Sequence, residues 1–308
     1  MPKKILLVQL RQLGDIILTT PCVREIKKSW PDAAIDFLCH PMGKLILQDN
    51  PYLHDIITYD LNAGWRDQLL FLQRLRQAKY DLVLDFMYNP RSAFYSRCTG
   101  ASRRLAFPSR RQLFFTDIVP PSAAIEYIVK EKFRYLEYLS LTPADMSLDL
   151  PWTEAHLKPT QELIETQVAF RDAPARVAIS CTHRRVERQW PLDRYAEIAD
   201  RLVREKKASV LWIWGPGEEN FVRQAVALCK EPMLVSPQTA FRELAALLGN
   251  CDLFLGNSNG PSHVAVANTW SSLQLHGTTY AKAWCPRNNQ HQSLQGGENL
   301  PEGRGPIG

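Results

Sequence analysis

Near the N-terminus the stretch LRQLGDIILTTP, residues 10–21, follows directly on the apolar run KKILLVQ. It places a carboxylate where a strand hands over to a helix. Gly14 is expected to let the backbone turn tightly there, and Asp15 falls at or near the helix N-cap, with Thr19, Thr20 and Pro21 just beyond. Two readings of Asp15 stand. As a cap it stabilises the helix by about 1 kcal/mol. As a carboxylate aimed into a cleft it is a general base, able to take the proton of an attacking hydroxyl.

Two further stretches carry chemistry suited to an anion. In GNSNGPSHVAVA, residues 256–267, the run CDLFL ends in a loop holding Gly256 and Gly260, and a helix opens with Pro261 near its first position. Small residues at a helix start leave backbone N–H groups free for a phosphate. An ordinary strand-to-helix turn has the same look, and His263 in the first turn is as consistent with a structural role. In HRRVERQWPLDRY, residues 183–195, four arginines (184, 185, 188 and 194) surround Trp190-Pro191. They suit a pyrophosphate, or equally a solvated charged face. WIWGPGEEN, residues 212–220, is a common α/β turn and says less.

These residues need elements to hold them. KILLVQL, AAIDFLC, DIITYD and YDLVLDF read as buried parallel strands. Helical spacing separates them, first at Val23, Ile26 and Trp30, then from Gln68 to Ala78. From Thr142 to Pro174 no strand is convincing. RVAISCT, ASVLWIWG, MLVS, CDLFLGN and LQLHG then resume the alternation, with a helix on Tyr195, Ile198, Ala199, Leu202 and Val203. The order implies parallel, doubly wound sheets. The expected division is an N-terminal Rossmann-like domain over 1–150, a linker over 151–175 and a C-terminal one over 176–287. A polar, Gly- and Pro-rich tail over 288–308 is expected to be disordered. Ligands are expected in a cleft at the carboxyl ends of both sheets.

Composition bounds the function. At 308 residues, 45% hydrophobic and 22% charged, the chain has the make-up of a soluble globular protein. No run reaches the roughly 18 apolar residues of a membrane span. Two lysines before an apolar run superficially resemble a signal peptide. Arg11 and Asp15 interrupt that run, so a cytoplasmic chain is expected. A net charge of +5 is too weak for a nucleic-acid binder. The charge is nonetheless concentrated: residues 90–111 hold six arginines (91, 97, 103, 104, 110 and 111) and no acid. That stretch suits an anionic acceptor or membrane surface, or a plain solvated face. The seven cysteines lack C-x-x-C spacing and read as reduced, buried residues. No D-x-D pair, His/Cys cluster, G-x-S-x-G elbow or Walker loop occurs, and G-x-G-x-x-G is missing after the first strand.

LRQLGDIILTTP, RQWP, GPGEE and GNSNGPSHVAVA…HGTT…WCP, in this order over about residues 3–287, resemble glycosyltransferase family 9. This is the family of bacterial ADP-heptose:lipopolysaccharide heptosyltransferases. The resemblance implies a GT-B fold and inverting, metal-free transfer with no cofactor. The nucleotide-sugar, ADP-heptose, would bind the C-terminal half. A lipopolysaccharide core acceptor would bind the N-terminal half, with the chain peripheral on the inner face of the inner membrane. By position Asp15 matches the family's catalytic base, and Gly14 and Thr19 accompany it on the acceptor side, where Arg91 and Arg97 are also placed. Arg188, where the family usually has lysine, together with Ser258, Gly260, Pro261, Ser262 and His263, matches the donor site.

Three departures stand out. Ser258-Asn259 replaces the usual Asp-Ser, with consequences for donor hydroxyl recognition. ANTWSSLQLHGTT lacks a proline common before that strand. Beyond W-x-P the low-complexity tail replaces a longer family region, so a shortened C-terminus is expected. Transfer of a different sugar, and an inactive nucleotide-sugar- or glycolipid-binding homologue, are the alternatives.

Overall fold

The computed structural model describes residues 1–296 apart from Leu61 and Trp270. The chain forms two compact units, Met1–Asp149 and Leu150–Gly308.

In the first unit, β1 (Lys4–Val8) leads into a short α1 (Leu13–Ile17) and then α2 (Thr20–Ser29). β2 (Ala34–Cys39), α3 (Pro41–Leu47), β3 (Asp55–Thr58) and α4 (Trp65–Gln77) follow. Next come β4 (Leu82–Asp85), α5 (Pro90–Cys98), β5 (Arg103–Ala106), a 3₁₀ turn at Gln112–Phe114, β6 (Asp117–Ile118) and α6 (Ile128–Tyr138). Every strand pairs in parallel, in the order β3-β2-β1-β4-β5-β6. The central strands are buried on both faces: Ile5 to Val8 and Val83 to Leu84 are fully inaccessible. That is why they read as unbroken apolar runs.

The second unit opens with a 3₁₀ helix, Glu154–Thr160, α7 (Gln161–Thr166) and α8 (Val168–Arg171). β7 (Arg176–Ser180), α9 (Leu192–Lys206), β8 (Ser209–Trp212), α10 (Glu219–Ala227), β9 (Leu234–Val235) and α11 (Phe241–Leu248) come next. β10 (Leu253–Asn257), α12 (Gly260–Asn268), β11 (Ser271–His276), α13 (Ala281–Trp284) and β12 (His291–Gln295) complete it. Its parallel order, β12-β11-β10-β7-β8-β9, repeats that of the first sheet. Both sheets therefore reverse strand order beside their first strand, β1 or β7, and such a switch point leaves a crevice at the carboxyl ends.

Three expectations are corrected. The stretch 151–175 is no free linker, because it packs within the second unit. Trp152 lies against Gly249, where an added Cβ would stand 2.8 Å from the indole, and Phe170 is fully buried. The tail is ordered over His291–Gln295, which adds β12 to β11. Its side chains pair with a polar strand face, not an apolar one. His291 Nδ1 lies 3.0 Å from Ser272 Oγ, and Gln295 Oε1 accepts from the Ala281 N–H at 2.8 Å. A hydrophobicity pattern cannot report such pairing. The remainder of the expected tail, 297–308, lies outside the described residues.

Third, the arginine-rich stretch is not one solvated face. It contains β5, unrecognised in the sequence, where Arg103 pairs with Asp117 at 2.8 Å and Arg104 Nε donates to the Phe114 carbonyl at 2.9 Å. All seven cysteines are free thiols.

Gly256 holds β10 against β7. A Cβ there would meet the Ser180 carbonyl oxygen at 2.7 Å and the Phe254 ring at 2.8 Å. Backbone cannot retreat as a flexible side chain can. Gly256→Ala is expected to cost about 1–3 kcal/mol, read from the midpoint of urea unfolding at unchanged slope.

Candidate active site

In the first unit the chain leaves β1 through Gln9–Gln12. The left-handed residue of that turn is Gln12, at φ 65°, not Gly14. Gly14 lies inside α1, where its carbonyl accepts the Leu18 N–H at 2.9 Å. Met87 beyond β4 stitches the turn down: its sulfur accepts the N–H groups of Leu10 at 3.0 Å and Arg11 at 3.3 Å.

Asp15 therefore sits in the first turn of α1, above the switch point between β1 and β4. The N-cap of this helix is Gln12, and no side chain caps it. The Asp15 carboxylate makes no hydrogen bond among the described residues. The reading of Asp15 as a cap is not what the fold uses.

Thr19 is fully buried. Its hydroxyl donates to the Asp15 carbonyl at 2.7 Å and accepts from Lys132 Nζ at 2.7 Å. Thr19 thus positions Asp15 and is covered on the side where an acceptor contact was expected. Lys132, on α6, escaped the sequence reading. Its ammonium also donates to Gln9 Oε1 at 3.1 Å and lies 5.0 Å from the centre of the Phe86 ring. Burial lowers its pKa, and the negative charge of Asp15 opposes that shift. On Asp15 the same pair acts in reverse: burial raises the carboxyl above the ordinary range and the Lys132 cation draws it back. A signal existed. Val129, Lys132, Phe133 and Leu136 share the inward spacing of α6, and a lysine in that stripe must find a partner.

Asp85 at the end of β4 was also missed. Fully buried, it accepts the N–H groups of Met87 at 3.0 Å and Tyr88 at 2.7 Å and the Ser96 hydroxyl at 3.0 Å. Burial pushes its pKa up to about 6. It fixes the loop into α5. Arg91 and Arg97 lie on the exposed face of α5, outside the Asp15–Thr19–Lys132 cluster.

In the second unit the loops after β7 and β10 are laced together. Asn257 Oδ1 accepts the Trp190 N–H at 3.1 Å, while its amide donates to the Cys181 carbonyl at 2.8 Å. Asn259 caps α12, accepting the Ser262 N–H at 3.1 Å, and donates to the Thr182 carbonyl at 2.9 Å and to Ser180 Oγ at 3.1 Å. The departure from the family's Asp-Ser thus supplies the cap itself. Glu218 of GPGEE is tied in as well, accepting the Thr182 hydroxyl at 2.8 Å and the Gly215 N–H at 2.9 Å.

Arg188 closes a 3₁₀ turn, Val186–Arg188, with its Cα 3.5 Å from where a Cβ on Gly277 would stand. It is half-buried, and its Nε is enclosed without a hydrogen-bond partner among the described residues. Burial and the neighbouring Arg185 lower its pKa. Ser258, Gly260 and Pro261 are half-exposed on the adjoining loop. Ser262 and His263 are buried beneath it. The Ser262 hydroxyl is spent on the capping box, accepting the Asn259 N–H at 3.3 Å and donating to the Asn259 carbonyl at 2.7 Å. The His263 ring lies 6.1 Å from that of Trp284, tilted to it by 46°, and burial pushes its pKa down to about 3. It is a neutral prop under the loop, so the expected ligand contact from its imidazole does not fit. Among the described residues no His/Cys/Asp/Glu group is arranged to hold a metal ion.

Residues 69–303 match the profile of Glycosyltransferase family 9 (heptosyltransferase). The chain is 26% identical over 292 residues to lipopolysaccharide heptosyltransferase 3 of Escherichia coli strain K12, covering 90% of this chain and 83% of that protein. It is 21% identical over 295 residues to the lipopolysaccharide core heptosyltransferase OpsX of Haemophilus influenzae, covering 94% and 83%. The solved glycosyl transferase family 9 structure from Veillonella parvula DSM 2008 superposes with a TM-score of 0.84 at 21% identity, covering 96% of this chain and 86% of that one. E. coli ADP-heptose lps heptosyltransferase II gives 0.77 at 18% identity, covering 98% and 92%. The shared fold is GT-B.

Proposed function

Because the chain belongs to glycosyltransferase family 9, the heptosyltransferases, we propose that it moves a heptose from ADP-heptose to a hydroxyl of the lipopolysaccharide core, with inversion and without a metal. The observation that carries this reading is Asp15. It is a carboxylate with no hydrogen bond among the described residues, at a sheet's switch point, with a buried lysine holding its helix.

Asp15 accepts the proton of the acceptor hydroxyl as that oxygen bonds to the anomeric carbon. The bond from that carbon to the diphosphate oxygen breaks through an oxocarbenium-like transition state, and one displacement inverts the centre. The diphosphate departs with its electron pair. Arg188 and the Gly260 N–H at the start of α12 take up that charge. Ser258 lies beside them on the donor loop. Gly14 flanks Asp15 on the acceptor side while the buried Thr19 holds it from beneath, and Arg91 and Arg97, on the exposed face of α5, offer charge to the anionic surface in which the acceptor is anchored. Among the described residues no helix is long and apolar enough to cross a membrane. We place the chain as a peripheral protein on the cytoplasmic face, where a lipid-anchored acceptor is presented.

Calorimetric titration of the purified chain with ADP, ADP-heptose, UDP and GDP tests the donor. Selective binding of the adenine nucleotides is expected; a folded chain that binds none of them refutes it. Arg188→Met is expected to weaken ADP binding roughly 10–100-fold, the worth of a charge-assisted hydrogen bond. Transfer should persist in excess chelator, and its loss there would overturn the metal-free mechanism.

A further inference from the structure

Parallel pairing puts the carboxyl ends of all the first unit's strands on one rim, and Asp15 follows β1 on that rim. α4 begins after β3, α5 after β4 and the Gln112–Phe114 turn after β5, so all three start there. They are continuous with one another. Phe71 of α4 meets Tyr95 of α5 at 5.2 Å between ring centres, and Ala93 of α5 packs with Phe114 and Phe115.

Each of these elements turns a large apolar side chain outward. Trp65 is 69% exposed, Leu70 62%, Phe94 45% and Leu113 92%. Burial of an apolar group stabilises the fold, yet Trp65, with the Arg66 guanidinium 5.2 Å from its ring centre, and Leu113 both stand outward on adjoining elements. The cations between them are equally uncommitted. Arg91 and Arg97 flank Phe94 on one face of α5, and Arg110 and Arg111 precede Leu113. None of these four has an ion-pair partner among the described residues, whereas Arg103 of the same stretch is bound to Asp117.

We propose that the α4–α5–Leu113 face of the first unit docks on an anionic phospholipid bilayer, with Trp65, Leu70, Phe94 and Leu113 entering the headgroup boundary and the four arginines on the lipid phosphates. Charge complementarity selects this occupant. Exposed apolar groups ringed by unpaired arginines match a surface that is negative outside and apolar beneath, and tryptophan settles at that boundary. The inference rests on the acceptor's being lipid-anchored and names the surface that brings Asp15 to it. Vesicle binding is read without donor or acceptor. Its failure therefore leaves the transfer chemistry standing, and the failure of transfer leaves this surface standing.

The test is co-sedimentation of the full chain with vesicles of equimolar phosphatidylcholine and phosphatidylglycerol, and with phosphatidylcholine alone. Binding is expected to the mixed vesicles and to weaken as salt screens it. Arg110→Gln with Arg111→Gln should weaken it roughly fivefold per arginine. Trp65→Ser and Leu113→Ser should each weaken it at low and high salt alike. The control pair Arg201→Gln with Arg204→Gln, on α9 of the second unit, should leave it unchanged. Apart from the half-buried Arg111 these positions are exposed, and circular dichroism verifies the fold. Binding that the rim variants leave intact, or that the control pair reduces equally, overturns the proposal. So does a chain that ignores vesicles but forms a dimer, in light scattering, that Leu113→Ser dissolves. That result would assign the face to a second copy.

Discussion

Asp15→Asn is expected to lower kcat for heptosyl transfer by about 10²–10⁴-fold, the span of a positioned general base. Affinity for ADP should stay within error of the parent chain. Asparagine keeps the size of the side chain and the helical carbonyl that Thr19 holds at 2.7 Å. The carboxylate takes part in no hydrogen bond among the described residues, so its loss removes chemistry without removing structure. Because Asp15 also offsets the charge of the buried Lys132 ammonium, the thermal midpoint is read beside transfer. Single-turnover transfer measured beside the ADP titration separates the outcomes. A turnover equal to that of the parent would sink the base assignment. Parallel loss of transfer and of thermal stability would show Asp15 to be structural.

Lys132→Met tests how that base is kept ionised. Burial raises the Asp15 pKa and the Lys132 cation lowers it, so removing the cation must raise it further. The acidic limb of kcat/KM reports the ionised fraction of the free base, with activity rising as pH rises through it. In the parent this limb is expected above the ordinary carboxylate range. In Lys132→Met it should move to still higher pH, so that activity on the acidic side of the limb falls about tenfold for each unit of movement and recovers in alkali. Lys132→Arg keeps the charge and should return the limb toward the parent's position. A merely structural lysine would lower activity equally at every pH. Such a flat loss would refute its role beside Asp15. Stability will fall too, since Gln9 and Thr19 lose a buried donor at about 1–3 kcal/mol. The position of the limb, not its height, is therefore the readout.

The parts of this protein differ in how far sequence reached them. β1, β2, β4, β7, β8 and β10 were legible because two-sided burial enforces continuous apolar runs. α9 was legible because one buried face imposes a period near 3.6. β5 was hidden by two arginines whose charges are satisfied by Asp117 and by backbone carbonyls. β12 was hidden because its partners are a serine and a glutamine-capped helix start instead of a core. In the donor loop, residue types pointed to Gly260, Pro261 and Arg188. They could not tell that Ser262 and His263 face inward, since a helix's first turn has both an open and a covered side.

What the sequence determined by itself was the βα alternation, the family motifs and the place of Asp15 directly after the first strand. All of these depend on neighbours a few residues apart. Only tertiary structure decided that Asp15 does not cap its helix. That choice turns on Gln12 taking the left-handed turn, and on Lys132 arriving from 113 residues beyond Thr19 to sit under the same helix. Charge compensation is set by which distant segments the strand order brings together, and local periodicity carries no record of it.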